Sequence, residues 1–289
     1  MSAGRLPASH MLLRKAVFAR YAPNRDSPVP QEWGDLTISW KLAFGRSAIP
    51  LLVIATIYAF GEWFKTTALY AEQMRRLYWN YLFHLAFFLP PCVALILNPA
   101  KADAYGLSRR HIGQAMKIGA LFAVPLVAAP MIADGLAGTI HLRPPISGRF
   151  MQSVFYQIVM VAVAEELLFR GYVQGELNRA FPAAHRLFGC RITAGFWVTA
   201  ILFWACHVSI HSGIGLWDAV YVAAAGLLFG ILRERTQSLA APALAHFGCN
   251  FYRYLFGMDL YAGIATGVAW FFIFWSLPRL WNRNPAPPA

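Results

Sequence analysis

Glu165, Glu166 and Arg170 close a run, Phe150–Val163, that is otherwise mostly apolar. Ionisable side chains at membrane depth each cost at least ~2.5 kcal/mol on insertion scales and by default mark functional positions. Two further polar groups sit in apolar surroundings: His207 within FWACH, and His246 with Asn250 within HFGCN. On a helix Glu166 and Arg170 are i,i+4 neighbours and can pair. Glu165 then points about 100° away around the helix, free to face something else. His246 and Asn250 are also four apart and share a face. An unpaired carboxylate with imidazoles nearby can transfer protons or ligate a metal. Singly, each group has a plainer reading: a structural ion pair, a hydrogen-bonded packing histidine, or an amide joining two helices. Together they form a candidate site. His10, His84, His111, His141, His185 and His211 lack such partners along the chain, and His211, four residues after His207, is the nearest decoy.

The elements that must position these groups follow from composition. The 289 residues are 58% hydrophobic and 13% charged, with mean hydropathy +0.47, whereas a soluble domain carries about a quarter charged residues. Eight apolar windows approach or exceed the roughly 18 residues that mark a spanning helix. They are Ser47–Phe64, Trp79–Leu97, Lys117–Ala137, Gln152–Asn178, Ile192–Val208, Leu216–Leu232, Ser238–Phe256 and Leu260–Leu277. The third, with Pro125 and Pro130, and the seventh, with Pro242 and His246, are the least clean. The expected fold is all-α: a polytopic membrane protein of about eight transmembrane helices in one bundle. Residues 1–46 form a basic cytoplasmic segment, 47–278 the helical domain with its core motifs in 164–250, and 279–289 a disordered tail. At a rise of ~1.5 Å per residue, Glu165 lies about 21 Å from Arg179, and His207 about 24 Å from Arg191. His246 lies at most about 16 Å from Arg235. The three starting points fall on one side of the membrane, so the groups can converge near one layer.

The net charge of +12 is placed as topology demands. With a cytoplasmic N-terminus, the loops on that side, counting Arg170 among them, carry 18 Lys/Arg against 5 on the other, a strong positive-inside bias. The basic residues face anionic lipid, so nucleic acid is not an expected partner. Residues 1–46 have no apolar segment of a cleavable signal. The HMLLRKAVFARY stretch could lie on the membrane surface. Cys92, Cys190, Cys206 and Cys249 form no CxxC pair, which argues against a disulfide framework or zinc ribbon, and they are expected to be small buried residues. The GLLFG pair Gly226 and Gly230 suits close helix contact. There is no internal repeat of the transporter kind.

EELLFRG (Glu165–Gly171), FWACH (Phe203–His207) and HFGCN (His246–Asn250) match the EExxxR, FxxxH and HxxxN/B motifs of the CAAX-processing and bacteriocin-processing family, also called the abortive-infection family. GILRERTQSLAAPALAHFGCNF resembles the family's turn and seventh helix, and YGLSRR its lead-in to the third. The resemblance spans about Tyr105–Phe256 and leaves Met1–Arg46 unexplained. It implies an eight-helix intramembrane endopeptidase of the glutamate type, related to the protease that trims prenylated CAAX proteins. By motif, Glu165 would activate water assisted by His207, His246 and Asn250 would form the oxyanion hole, and Glu166, Arg170 and Phe203 would support the site. The chemistry is coherent, because amide hydrolysis needs a base for water and donors for the oxyanion.

Other readings use the same residues. A zinc protease would take His207, His246 and Glu165 as ligands, but no HExxH is present, and the cofactor-free reading is preferred. Catalysis by Cys206 or Cys249 is disfavoured, since each adjoins a motif position and should point elsewhere on its helix. A non-catalytic scaffold or immunity protein would not require Glu165, His207, His246 and Asn250 together. A proton-coupled transporter is disfavoured by the missing repeat. The expected substrate is a membrane-associated protein or peptide, and the expected location a bacterial inner membrane with both termini cytoplasmic.

Overall fold

A helix satisfies its own backbone in lipid, so long apolar runs fold as helices without needing neighbours. The computed structural model describes residues 36–109, 112–182, 184–187, 190–207, 216–256 and 260–282. Each of the eight apolar windows contains a helix in it. We label the helices α1 (Leu36–Phe64), α2 (Ala68–Leu77), α3 (Tyr81–Leu97), α4 (Ile112–Ala137), α5 (Phe150–Ala180), α6 (Ala194–His207), α7 (Leu216–Thr236), α8 (Ala240–Leu255) and α9 (Leu260–Asn282). Helix α1 begins eleven residues before the expected boundary at Ser47, and α9 runs past Pro278 to Asn282. The amphipathic stretch near His10 and the end of the tail lie outside the described residues.

Among the described residues, length and apolarity qualify four helices as membrane-crossing, α1 (over Ser47–Phe64), α4, α5 and α9 (over Leu260–Leu277), and a fifth if α2 and α3 count as one broken span. This is fewer than the eight expected. Among the described residues α6 runs for 14 and α8 for 16, or about 21 and 24 Å against a hydrocarbon core of about 30 Å. Helix α7 ends in the charged RER triplet. Large apolar side chains such as Leu52, Leu89, Ile132, Ile264 and Phe271 are exposed on the outer surface. A soluble protein rarely shows so extensive an apolar surface, and the molecule is a multi-pass membrane protein.

Three features position the site. First, α5 is the central helix: 61% of its most apolar stretch is buried, against 28–33% for α1, α4 and α9. It widens into π-helical turns over Tyr156–Val163 and Leu167–Val173, with one α-turn, Ala164–Glu166, between them. Such π segments recur at functional positions. Second, α4 and α8 approach closely through small residues. A Cβ on Gly248 would lie 2.6 Å from the Ala123 Cα, and one on Gly119 2.8 Å from the Ala241 carbonyl. Pro125, Pro130 and Pro242 lie inside these two helices without ending them. Third, α2 meets α3 at 107°. Thr67 and Asn80 cap the two helices, and Tyr78, with φ +65°, turns the chain between them.

The basic loop between α5 and α6 contains a short antiparallel hairpin, β1 (Ala184–Leu187) with β2 (Cys190–Thr193), Ala184 opposite Thr193. It shifts the start of α6 from the expected Ile192 to Ala194. Before α4, Tyr105 is fully buried and donates to Glu176 (2.6 Å), while Arg233 reaches the Ala104 carbonyl (2.6 Å). The start of this lead-in, at Ala104 and Tyr105, is therefore held onto α5 and α7.

Candidate active site

The α-turn between the two π segments directs Glu165 and Glu166 to different neighbours. Glu166 is fully buried and faces Arg170, whose Nη1 lies 3.2 Å from its Oε1. Arg170 also donates from Nη2 to the Gly226 carbonyl of α7 (3.0 Å) and lies 4.1 Å from the Phe203 ring centre. The close helix contact at Gly226 thus delivers a backbone acceptor to the arginine. On its other side Glu166 Oε1 accepts from His246 Nδ1 (2.9 Å). One carboxylate thereby joins α5, α7 and α8, and His246 stacks on Phe229 at 4.8 Å between ring centres.

Glu165 is buried too, and its ion-pair contacts among the described residues are with imidazoles. Its Oε2 lies 3.6 Å from His207 Nε2 and 3.8 Å from His246 Nε2, and its Oε1 lies 3.5 Å from His84 Nε2. Oε2 has no hydrogen-bond partner among the described residues. His207 Nδ1 donates to the Phe203 carbonyl (2.7 Å). A carbonyl only accepts, so this contact puts the hydrogen on Nδ1 and turns Nε2 toward Glu165. Glu165, His207, His246, Asn250 and Phe203 line one cavity of ≈ 240 Å³ that continues past Trp79, Tyr156, Tyr221 and Arg253. The Asn250 carboxamide is buried at this wall and makes no hydrogen bond among the described residues. A second cavity of ≈ 210 Å³, lined by Ile54, Phe83, Phe87 and Phe169, reaches Glu165 and His207 from the side of α1 and α3.

The motif residues are therefore together, and three expectations need correction. His84 has a partner after all: it comes from α3, far along the chain, and spacing alone could not reveal it. Cys249 lines the first cavity and Cys206 the second, so neither points away from the site. Cys92 is exposed on α3, whereas Cys190 and Cys249 are buried, and all four are free thiols. His211 lies outside the described residues. Among the described residues, no three His, Cys, Asp or Glu side chains have the geometry to hold a metal ion. The three imidazoles approach two different oxygens of Glu165 rather than one shared point.

Residues 147–252 match the family model described as Type II CAAX prenyl endopeptidase Rce1-like. The matched segment contains Glu165, Glu166, Arg170, Phe203, His207, His246 and Asn250, so the likeness to that family covers the whole of the candidate site. Comparisons with curated proteins and with solved structures gave no match.

Proposed function

We propose that the chain is an intramembrane endopeptidase in which Glu165 is the general base, His207 its proton partner, and His246 with Asn250 the oxyanion hole. The observation that carries this reading is a buried carboxylate with one oxygen unbonded, facing histidine nitrogens and an unengaged carboxamide across a single cavity. Water held at Oε2 gives a proton to Glu165 as its oxygen bonds the substrate carbonyl carbon. His207 Nε2 accepts that proton and delivers it to the leaving nitrogen as the C–N bond breaks. Asn250 N–H₂ and His246 Nε2–H donate to the oxygen that becomes negative. His246 suits the task because its Nδ1 is tied to Glu166, so a second proton on Nε2 makes a cation flanked by carboxylates. Glu166 and Arg170 hold that histidine in place rather than touching substrate.

All eight apolar helices cross the membrane in this reading, with α2 at its surface, and both termini face the cytoplasm of a bacterial cell. Residues 1–46 are its basic cytoplasmic segment and 279–289 its tail. The substrate is a membrane-associated protein or peptide, entering a cavity walled by aromatic side chains.

The test compares the wild-type protein with Glu165→Gln, each purified into liposomes and incubated with solubilised membrane proteins, the new N-termini being mapped by mass spectrometry. The swap preserves shape and removes the base, so the mapped cleavages should fall at least ~10²-fold, and a zinc chelator should leave the wild type active. Equal cleavage by Glu165→Gln would reject the assignment, and loss of activity on chelation would favour the zinc protease.

A further inference from the structure

His84 lies outside the segment that matches the family model, yet its Nε2 is the nearest imidazole nitrogen to Glu165, at 3.5 Å from Oε1. The opposite edge of the ring is fixed. Nδ1 lies 2.9 Å from the Asn80 carbonyl oxygen and 2.9 Å from the Tyr156 hydroxyl. Nδ1 thus faces one acceptor, the carbonyl, and one group that can donate, the hydroxyl, while Nε2 faces the carboxylate, which only accepts. The ring also packs edge-on to Tyr156, 5.3 Å between centres.

The corner between α2 and α3 supports this histidine. Asn80 Oδ1 caps α3 by accepting from Phe83 N (3.3 Å) and accepts as well from Gln73 Nε2 (3.0 Å). Gln73 Oε1 accepts in turn from Leu82 N (3.0 Å). Trp79, at the bend, stacks on Tyr156 (4.8 Å) and donates to Ser153 Oγ (3.0 Å). A polar, cross-linked corner at the edge of an apolar bundle is costly unless each group is satisfied. Here its product is one imidazole nitrogen aimed at Glu165.

We infer that His84 is a positioning residue for the hydrolysis proposed above, on which this inference rests. It holds Glu165 through Oε1, so that Oε2 remains directed at water, His207 and His246. A hydrogen on Nε2 bonds it to Oε1 and leaves Glu165 ionised for its role as base, and a 3.5 Å separation in the free protein can tighten when substrate is bound. Without that bond the carboxylate is free about its terminal torsion, which is broad and two-fold, and Oε2 loses its aim.

The experiment uses the full chain in liposomes with a quenched peptide spanning a cleavage site mapped on the wild type. His84→Leu removes both nitrogens. His84→Asn can keep a donor near the Asn80 carbonyl but is too short to reach Glu165. His84→Gln places an amide N–H near the position of Nε2. The loss of aim should lower kcat by about 10- to 100-fold in the Leu and Asn variants, with KM within about threefold and unchanged melting, and Gln should recover most of the rate. A wild-type kcat in the Leu or Asn variant would overturn the inference, as would a rise in KM alone, or a Gln variant no faster than Asn. If the Leu variant does not fold, the comparison of Asn with Gln decides alone. Glu165→Gln runs alongside: inactivity there with fully active His84 variants rejects His84 only, whereas activity in Glu165→Gln rejects the base assignment and the role of His84 with it.

Discussion

Arg170 joins three groups that come from different helices: Glu166, the Gly226 carbonyl and the Phe203 ring. Arg170→Ala would strand Glu166 as a buried charge at a cost of ~3–5 kcal/mol, so it should lower folded yield and melting temperature as well as activity. Arg170→Lys should not rescue it, because one ammonium cannot copy a planar fork that bonds on two sides and stacks on a ring. Normal melting of either variant would contradict the structural role. Asn250→Ala should instead fold normally and lose about 10²–10³-fold in kcat by removing one oxyanion donor. Cys206→Ala and Cys249→Ala should keep their activity, although both thiols border a cavity, and a dead Cys249→Ala with normal melting would revive thiol chemistry. The motif residues were legible because they come in pairs one helical turn apart (Glu166 with Arg170, Phe203 with His207, His246 with Asn250), where spacing alone fixes the face. His84 was not, since its contact with Glu165 depends on how α3 crosses α5, and no local pattern encodes that crossing.

Elements were read well where burial sets the pattern and poorly where capping does. The eight windows emerged because any long apolar run must become a helix in lipid. The corner at Tyr78–Asn80 was missed: Thr67 and Asn80 start α2 and α3 through single capping hydrogen bonds, a signal easily lost beside hydropathy. The π turns of α5 and the hairpin after it left no mark on the apolar pattern. The lead-in YGLSRR looked like a polar loop, yet Tyr105 is fully buried. At the α4–α8 contact, packing is decided by backbone proximity. Gly248→Val puts a branched side chain where even a Cβ would stand 2.6 Å from Ala123 Cα. Overpacking of this kind costs about 1–3 kcal/mol or more, and since His246 and Asn250 ride on α8, activity should fall further than stability does. Thermal melting and the peptide assay together check this, and full activity in Gly248→Val would mean that α8 can shift without disturbing its two motif residues.

Over the whole molecule, the decisive quantity is how many helices cross the bilayer. Arg170 sits at the bundle centre, so it leaves the charge tally, and the bias becomes 17 against 5, still strongly positive-inside. Four or five spans satisfy length and apolarity on their own; eight require α6, α7 and α8 to cross as well. A short helix can do so where the bilayer thins around it, at a fraction of a kcal/mol per Å of mismatch, and α6 and α8 carry His207, His246 and Asn250 to the same buried layer as Glu165. Labelling single cysteines, introduced after the four native ones are replaced, with a membrane-impermeant maleimide distinguishes the counts. If α6 and α7 cross, positions His185 in the hairpin and Gln237 after α7 react from the cytoplasmic face, and a position within 208–215 reacts from the opposite face. Reaction of His185 and 208–215 from one face would mean that α6 does not span. The site would then lie close to a single membrane surface, with water reaching Glu165 from that side and substrate entering near the headgroups instead of from the hydrocarbon core.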